Sequence, residues 1–307
     1  MKILITGSTG LLGQALSRRL AQVGEVTGLS RHAPTSTAVA RHVTCDLLDL
    51  NETTQVIRTV MPDVVIHTQA QSDVDRCELE PVEAQAQNVE TTAHVVDALR
   101  DSPCWLVGMS TDYVFDGKKG APYNETDEPH PISVYGRTKL EAERCVLRYA
   151  RGLIVRPSTL FGPGRMNFCD RVVQAALEGA TVEAFTDQAT SPTFTEDVAD
   201  AIGELLVALA RGHAGSPRIY HVANAGGCTR LDFAHRIVDL LGRPRSCVRP
   251  VRMAEQLRPA PRPTTSILTT DALPRLIGRR LRPWDEALHA YLRQRHPFDF
   301  AQGGAPR

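Results

Sequence analysis

The chain has 307 residues, 42% hydrophobic and 23% charged, with Lys+Arg and Asp+Glu both 35. That balance provides no net field for nucleic acid or an anionic membrane, and the apolar content excludes a disordered chain. The 7 cysteines are odd in number, scattered and never spaced C-x-x-C, which speaks against a disulfide framework or a zinc site and for a reducing cytoplasm. Met1-Lys2 leads straight into Ile3-Leu4-Ile5, an apolar stretch too short for a signal peptide or a membrane span, and no later stretch is long enough. A cytoplasmic protein without nucleic-acid or membrane partners is expected.

In chain order, residues 3–6 read as a buried strand, and 10–23 as a helix with Leu11, Leu12, Ala15, Leu16 and Leu20 on one face. Residues 26–30 form a second strand, and 43–45 end a third just before Asp46. Asn51 is placed to cap a helix running to Val60. Strands follow at 63–67, 105–109 and 153–156, with helical stretches at 81–100 and 134–148. Such alternation predicts an α/β chain with a doubly wound parallel Rossmann-type sheet and a smaller C-terminal α/β substrate lobe. Beyond residue 156 the alternation loosens. Helices are expected at 167–179, 195–211, 229–241 (capped by Thr229) and 284–295, and a strand at 219–223. This divides the chain into a nucleotide-binding part, 1–156, joined by later sheet elements from about 181–223, and a lobe spanning mostly 157–296. A disordered tail is expected at 297–307.

Gly7-Ser8-Thr9-Gly10-Leu11-Leu12-Gly13 lies between the first strand and the first helix. Gly7 permits a sharp turn, Gly10 lets backbone amides approach a pyrophosphate, and Gly13 lets the helix pack closely. The helix N-terminus adds unpaired N–H donors and partial positive charge. The second strand ends in Ser30-Arg31, where an NAD enzyme usually carries an acid for the ribose 2′-OH. A hydroxyl beside a guanidinium suits a 2′-phosphate, so NADP(H) is preferred and NAD(H) stays open. Asp46 and Leu47 fall where such folds bring a carboxylate and backbone to the adenine, although Asp46 equally suits a structural turn.

Tyr135 and Lys139 stand four residues apart, on one face of a helix. A carbonyl that receives hydride needs a proton, and a neighbouring ammonium brings a phenol's pKa toward neutrality. Lysine can also hold the nicotinamide ribose. Thr111 lies at the carboxyl end of the fifth strand, the edge where open parallel sheets bind ligands, and its hydroxyl can polarise a substrate oxygen. Arginines crowd the last quarter, from Arg243 to Arg282, either as a solvated face or as a contact for a phosphorylated substrate.

The run Met109-Ser110-Thr111-Asp112-Tyr113-Val114-Phe115-Asp116-Gly117, and Tyr135-Gly136-Arg137-Thr138-Lys139-Leu140-Glu141-Ala142-Glu143, resemble the signature of the dTDP-4-dehydrorhamnose reductase family, within the extended short-chain dehydrogenase/reductase superfamily. The segments 62–67, 74–78 and 156–162, Arg262-Pro263 with Ser266, and Trp284 are also similar, so the resemblance spans nearly the whole chain. It implies a reductase of a nucleoside-diphosphate-linked 4-keto sugar, with Thr111, Tyr135 and Lys139 catalytic. Cofactor contacts are expected from Gly7, Thr9, Gly10, Leu11, Leu12, Gly13, Ser30, Arg31, Asp46 and Leu47. Gln69, Ala70, Asn88 and Arg156 would join them, together with Tyr135 and Lys139. Substrate contacts are expected from Thr111, Asp112, Tyr113, Thr159 and Arg262, the last toward the diphosphate. The resemblance also implies a homodimer, in some members with Mg2+ at the interface, although the sequence holds no carboxylate cluster that assigns the metal. Two departures leave the exact sugar open: Thr159 where an aromatic residue often covers the hexose, and Gln69 where alanine is usual.

Two other readings stay open. One is a reductase of a different carbonyl. The other is a non-catalytic NADP-binding subunit resembling the beta subunit of methionine adenosyltransferase, which shares the style of Ser30-Arg31 and of Ser191-Pro192-Thr193. A dehydratase is disfavoured because Tyr113, not glutamate, follows Asp112, and His67 reads as a core residue rather than an epimerase base.

Overall fold

The computed structural model describes residues 1–34, 41–212 and 217–295. The expected tail therefore lies outside the described residues. In chain order the elements are β1 (Lys2–Thr6), α1 (Leu11–Leu20), β2 (Glu25–Ser30), β3 (Arg41–Thr44), α2 (Leu50–Val60), β4 (Val64–His67) and α3 (Val74–Leu79). α4 (Pro81–Gln85), a π turn over Ala86–Glu90, and α5 (Thr91–Ala98) follow without a break. Then come β5 (Trp105–Met109), α6 (Val134–Arg148), β6 (Gly152–Arg156), β7 (Leu160–Phe161) and α7 (Phe168–Glu178). β8 (Val182–Phe185), β9 (Ala189–Thr190), β10 (Thr193–Phe194), α8 (Thr195–Ala210) and β11 (Ile219–His221) lead into β12 (Cys228–Thr229) and α9 (Arg230–Leu240). β13 (Val248–Val251), α10 (Ala272–Ile277) and α11 (Trp284–Arg295) complete the described chain.

Seven strands form one sheet in the order β11-β6-β5-β4-β1-β2-β3, parallel throughout. The period of two along β1 sends Ile3 and Ile5 to one face and Leu4 to the other. On the first face Ile3 and Ile5 pack with Leu12, Leu16 and Leu20 of α1 and with Ile202, Leu205 and Leu206 of α8. On the second, Leu4, Leu29 and Val65 pack with Ile57 of α2, Val95 of α5 and Val146 of α6. Side chains this deeply buried contribute about 1.5–3 kcal/mol each, which fixes the register of every strand. β1 lies between β2 and β4, so the order reverses there and opens a crevice at the carboxyl ends of the strands. A separate aromatic core joins Phe161, Phe194, Phe233 and Tyr291, with Trp284 packed against it.

Several local expectations change. Asp49, not Asn51, caps α2: its Oδ1 accepts from the N–H groups of Asn51 and Glu52 at 2.8 and 3.0 Å. The helix α3, capped by Asp73, was not foreseen, because six residues are too few to display a period. The stretch expected as one helix over 81–100 is interrupted by the π turn. The later sheet elements have two destinations. β8 pairs with β13 outside the central sheet, whereas α8 packs on α1 and β11 becomes the sheet's edge strand. Among the described residues no helix is long and apolar enough to cross a membrane.

Candidate active site

The crevice beside β1 is floored by the glycine loop. Gly7 adopts φ +66°, and its carbonyl accepts from Gly10 N–H at 2.9 Å. A side chain at Gly13 would collide with that same carbonyl, and one at Gly7 would sit 2.8 Å from the Gln69 backbone nitrogen. Glycine at these two positions is what lets α1, the loop and the end of β4 close on one another. Gly10 is the N-cap and provides no side-chain acceptor, so the first N–H groups of α1 face the crevice mouth uncapped by a side chain. Those donors and the helix dipole fit a pyrophosphate. Thr9, Leu11 and Leu12 belong to the same turn; Leu12 is buried and helps anchor it.

At the end of β2, Arg31 is exposed and has no hydrogen-bond or ion-pair partner among the described residues. The Ser30 hydroxyl is committed locally: it donates to the His32 carbonyl at 2.7 Å and lies 2.8 Å from His42 Nε2. Asp46 acts as a turn residue, its Oδ1 accepting from Leu48 N–H at 3.1 Å, while Leu47 is buried with its carbonyl 2.8 Å from His94 Nδ1. Across the crevice, Gln69 donates to Gln87 Oε1 at 2.8 Å and accepts from the Thr91 hydroxyl at 2.9 Å, which fixes the loop carrying Ala70. Asn88 sits in the π turn, fully buried. It accepts from Gln71 N–H at 2.8 Å and donates to the Gln71 carbonyl at 3.2 Å and the Thr138 hydroxyl at 3.0 Å. Asn88 thereby joins the β4 loop to the helix that carries Tyr135 and Lys139. π turns recur where a regular ladder has been interrupted for such a purpose.

Ser133 caps α6 by accepting from Gly136 N–H at 3.1 Å, which sets Tyr135 in the first turn and Lys139 one turn on. A side chain at Gly136 would strike the Tyr113 carbonyl, so this glycine allows the segment of Thr111 and Tyr113 to lie against the helix. The Tyr113 and Tyr135 rings meet edge to face, with centroids 6.0 Å apart. Burial pushes the Tyr135 phenol well above its usual range, and a hydrogen bond with Thr111 works against that shift. Burial brings the Lys139 ammonium down to about 8, with Glu143 acting in the opposite direction. The Thr111 hydroxyl is buried, accepts from Tyr113 N–H and donates to Asp112 Oδ1, both at 3.2 Å. His67 is a core residue as expected: its ring nitrogens lie 2.8 and 3.1 Å from the hydroxyls of Thr6 and Thr92, and burial holds its pKa at about 3.

Asp112 is 3% exposed and accepts from Ser266 at 2.5 Å and Ser158 at 2.9 Å, so its carboxylate braces the loop rather than standing free. Tyr113 accepts from Gln188 Nε2 at 3.1 Å. Around Tyr113 gather Arg171, Arg230, Arg258 and Arg262 with two carboxylates, Asp75 and Asp112. Arg262 is held by Asp75 through two bonds of 3.0 and 2.7 Å, and Arg258 lies 4.0 Å from the same carboxylate. Arg230 and Arg171 place their guanidinium carbons 5.0 and 5.9 Å from the Phe168 ring centroid and form no ion pair among the described residues, Asp112 acting on Arg230 from longer range. Thr159 is left-handed at φ +28°, a costly conformation for a β-branched residue, in the loop directly after β6.

One expected contact is corrected, and another expected residue is engaged within the chain. Arg156 does not reach the cofactor crevice: it is 1% exposed and grips Glu143 through bonds of 2.8 and 2.7 Å. Arg262 is held by Asp75, whereas Arg230 and Arg171, which sequence reasoning did not single out, form no ion pair among the described residues. A clue was available for Arg230, which directly follows the Thr229 cap and so begins a helix. Among the described residues no group of acids, histidines and cysteines could hold a metal ion.

Comparison with known proteins adds the family. The family model described as RmlD substrate binding domain matches residues 1–296. The chain is 36% identical over 288 residues to a dTDP-4-dehydrorhamnose reductase of Streptomyces griseus, covering 93% of this chain and 91% of that one. It is 33% identical to a probable dTDP-4,6-dihydroxy-2-methyloxan-3-one 4-ketoreductase of Streptomyces antibioticus, covering 94% and 93%. A solved dTDP-4-dehydrorhamnose reductase of Bacillus anthracis, in complex with NADP, superposes with a TM-score of 0.84 at 28% identity, covering 95% of this chain and 99% of that one.

Proposed function

Because the chain belongs to the RmlD substrate binding domain family, we propose that it is an NADP(H)-dependent reductase of a nucleoside-diphosphate-linked 4-keto-6-deoxysugar. The observation that carries this reading is the hydrogen bond between Thr111 and Tyr135, with Lys139 one turn on along the same helix, beside a glycine loop whose closure tolerates no side chain at Gly13. A dinucleotide held at the glycine loop would supply hydride to the carbonyl carbon. Tyr135 gives its phenolic proton to the carbonyl oxygen as negative charge grows there. Thr111 hydrogen-bonds that oxygen and shortens the proton's path. Lys139 donates to the nicotinamide ribose, and its positive charge makes the phenol a stronger acid. Arg31 takes the 2′-phosphate and so favours NADP(H) over NAD(H).

The substrate class follows from the arginines. Arg230 and Arg171 present unpaired charge beside Tyr113, the residue nearest the catalytic phenol on that side. A diphosphate is dianionic and accepts forked donors, so a nucleotide-linked sugar places its phosphates on these guanidiniums and its hexose under Thr111 and Tyr135. Thr159 carries no ring to cover the hexose, which leaves room for a bulkier substituent. A homodimer and a cytoplasmic location belong to the same reading.

The test is consumption of NADPH with enzymatically generated dTDP-4-keto-6-deoxysugar. Tyr135→Phe is expected to retain NADPH binding and to lose about 10²–10⁴ in turnover, the range of general acid–base catalysis. Near-normal turnover in that variant removes Tyr135 from the mechanism. No oxidation by the wild-type chain, with NADPH tightly bound, rejects the keto-sugar substrate.

A further inference from the structure

Behind the catalytic helix lies a buried ionic knot that the reaction does not touch. Glu143, 2% exposed, stands one helical turn beyond Lys139. Its Oε1 accepts from Arg156 Nε at 2.8 Å and from the Ser110 hydroxyl, and its Oε2 accepts from Arg156 Nη2 at 2.7 Å. Ser110 directly follows β5 and precedes Thr111, while Arg156 is the last residue of β6 and lies over the Phe115 ring at 5.3 Å. One carboxylate thus fastens the middle of α6 to the tips of both strands that flank the site.

We propose that Glu143 is a positioning residue for the catalytic pair, holding Lys139 and Tyr135 in register with Thr111. The inference rests on the catalytic reading above. Placement is the first half of the argument. Thr111 belongs to the strand tip and Tyr135 to the helix, so any slide of α6 along β5 and β6 changes the distance between their hydroxyls. Apart from the Asn88–Thr138 bond to the β4 loop, the helix is held on the sheet by hydrophobic packing such as that of Val146, which resists such a slide poorly because apolar contacts have no direction. Three directed bonds to one carboxylate resist it well. Charge is the second half. Two groups favour the Lys139 ammonium against burial, Glu143 first and the Cys77 thiol of α3 second, while the neutral His67 of β4 adds no charge. Glu143 on its own helix favours the ammonium against burial, from beyond direct contact. Arg156, reaching Glu143 from β6, sets the limit of that help.

The test compares Glu143→Gln with the apolar double replacement Glu143→Met/Arg156→Leu. Two readouts are needed: the pH profile of kcat with the keto-sugar, and the pH profile of NADPH affinity by fluorescence titration. In Glu143→Gln the alkaline limb of both profiles is expected about half to one pH unit lower than in the wild type, because Lys139 loses its proton earlier. kcat is expected to fall roughly tenfold or more, with KM changed less than threefold, since misplacement acts on the transition state. The double variant leaves no buried charge unpaired and should regain thermal stability, yet remain slow. Wild-type limbs in Glu143→Gln, or wild-type kcat in the double variant, would overturn the proposal by showing the knot to be packing alone. If Glu143→Gln does not fold, the double variant still decides. A wild-type chain that leaves NADPH unconsumed overturns the substrate reading instead, since the affinity profile still reports on Glu143.

Discussion

Replacing Arg230 by methionine should weaken nucleotide binding while leaving the free protein as stable or slightly more so. Arg230 is half-buried and lies 5.0 Å above Phe168, the ring it shares with Arg171 at 5.9 Å. The two guanidiniums are therefore at most about 11 Å apart, where like unit charges repel by about 1.5 kcal/mol at an effective dielectric near 20. Arg171 is exposed, so screening reduces this to under about 1 kcal/mol. Methionine keeps apolar contact with Phe168 and removes the repulsion, which predicts a Tm unchanged or raised by up to about 2 °C. A charge-assisted hydrogen bond to a phosphate contributes about 1.5–3 kcal/mol, so affinity should fall roughly 10- to 150-fold. Calorimetric titration with dTDP, alongside thymidine as a ligand without phosphate, separates the two effects: only dTDP should weaken. Unchanged dTDP affinity combined with a Tm lower by several degrees would refute the argument and make Arg230 a structural residue.

Arg31→Ala should weaken NADPH far more than NADH, by about tenfold or more, as equilibrium fluorescence would show; equal weakening removes Arg31 from the 2′-phosphate. Stability should also fall with acid in a window set by two buried histidines. Burial holds His67 and His221 at about 3, whereas unfolded histidine titrates near 6.5, so the unfolded chain binds more protons between those values. The stabilisation is complete above about pH 6.5 and is lost as pH falls toward about 3, each histidine contributing a slope of up to about 1.4 kcal/mol per unit. His221→Gln should flatten the Tm profile between about pH 6.5 and 5, where carboxylates have barely begun to titrate; a wild-type slope in that variant would exclude His221.

The sheet was legible because its signals are local. Buried parallel strands are short apolar runs, and the expected bounds at Trp105–Met109 and Val134–Arg148 match the structure because Ser133 and the flanking loops mark the ends. The glycine loop was legible for the same reason, since Gly7 and Gly13 meet within one turn. What sequence could not convey was partnership across distance. Arg156 and Arg262 are chemically apt for a phosphate, and only the fold reveals that Glu143 and Asp75 already hold them. Arg230 and Arg171 lie 59 residues apart, in α9 and α7, and their shared position over Phe168 has no sequence period. β8 looked like sheet because its composition is that of a strand; its partner, β13, lies in an arginine-rich stretch that masks the pattern.

The position of β11 bears on how this protein is made. The first 156 residues contain six of the seven central strands, yet β6 closes its free edge only when Ile219, Tyr220 and His221 arrive. α8, which covers Ile3, Ile5 and Val107 on one face, also comes late. At a synthesis rate of about 5–20 residues per second, a growing chain spends several seconds with an unpaired edge and an uncovered face. Such an edge invites pairing with other chains. The cofactor crevice at β1 and β4 is assembled during that same interval, so a dinucleotide that binds early would shelter the nascent sheet and make cofactor supply a determinant of yield.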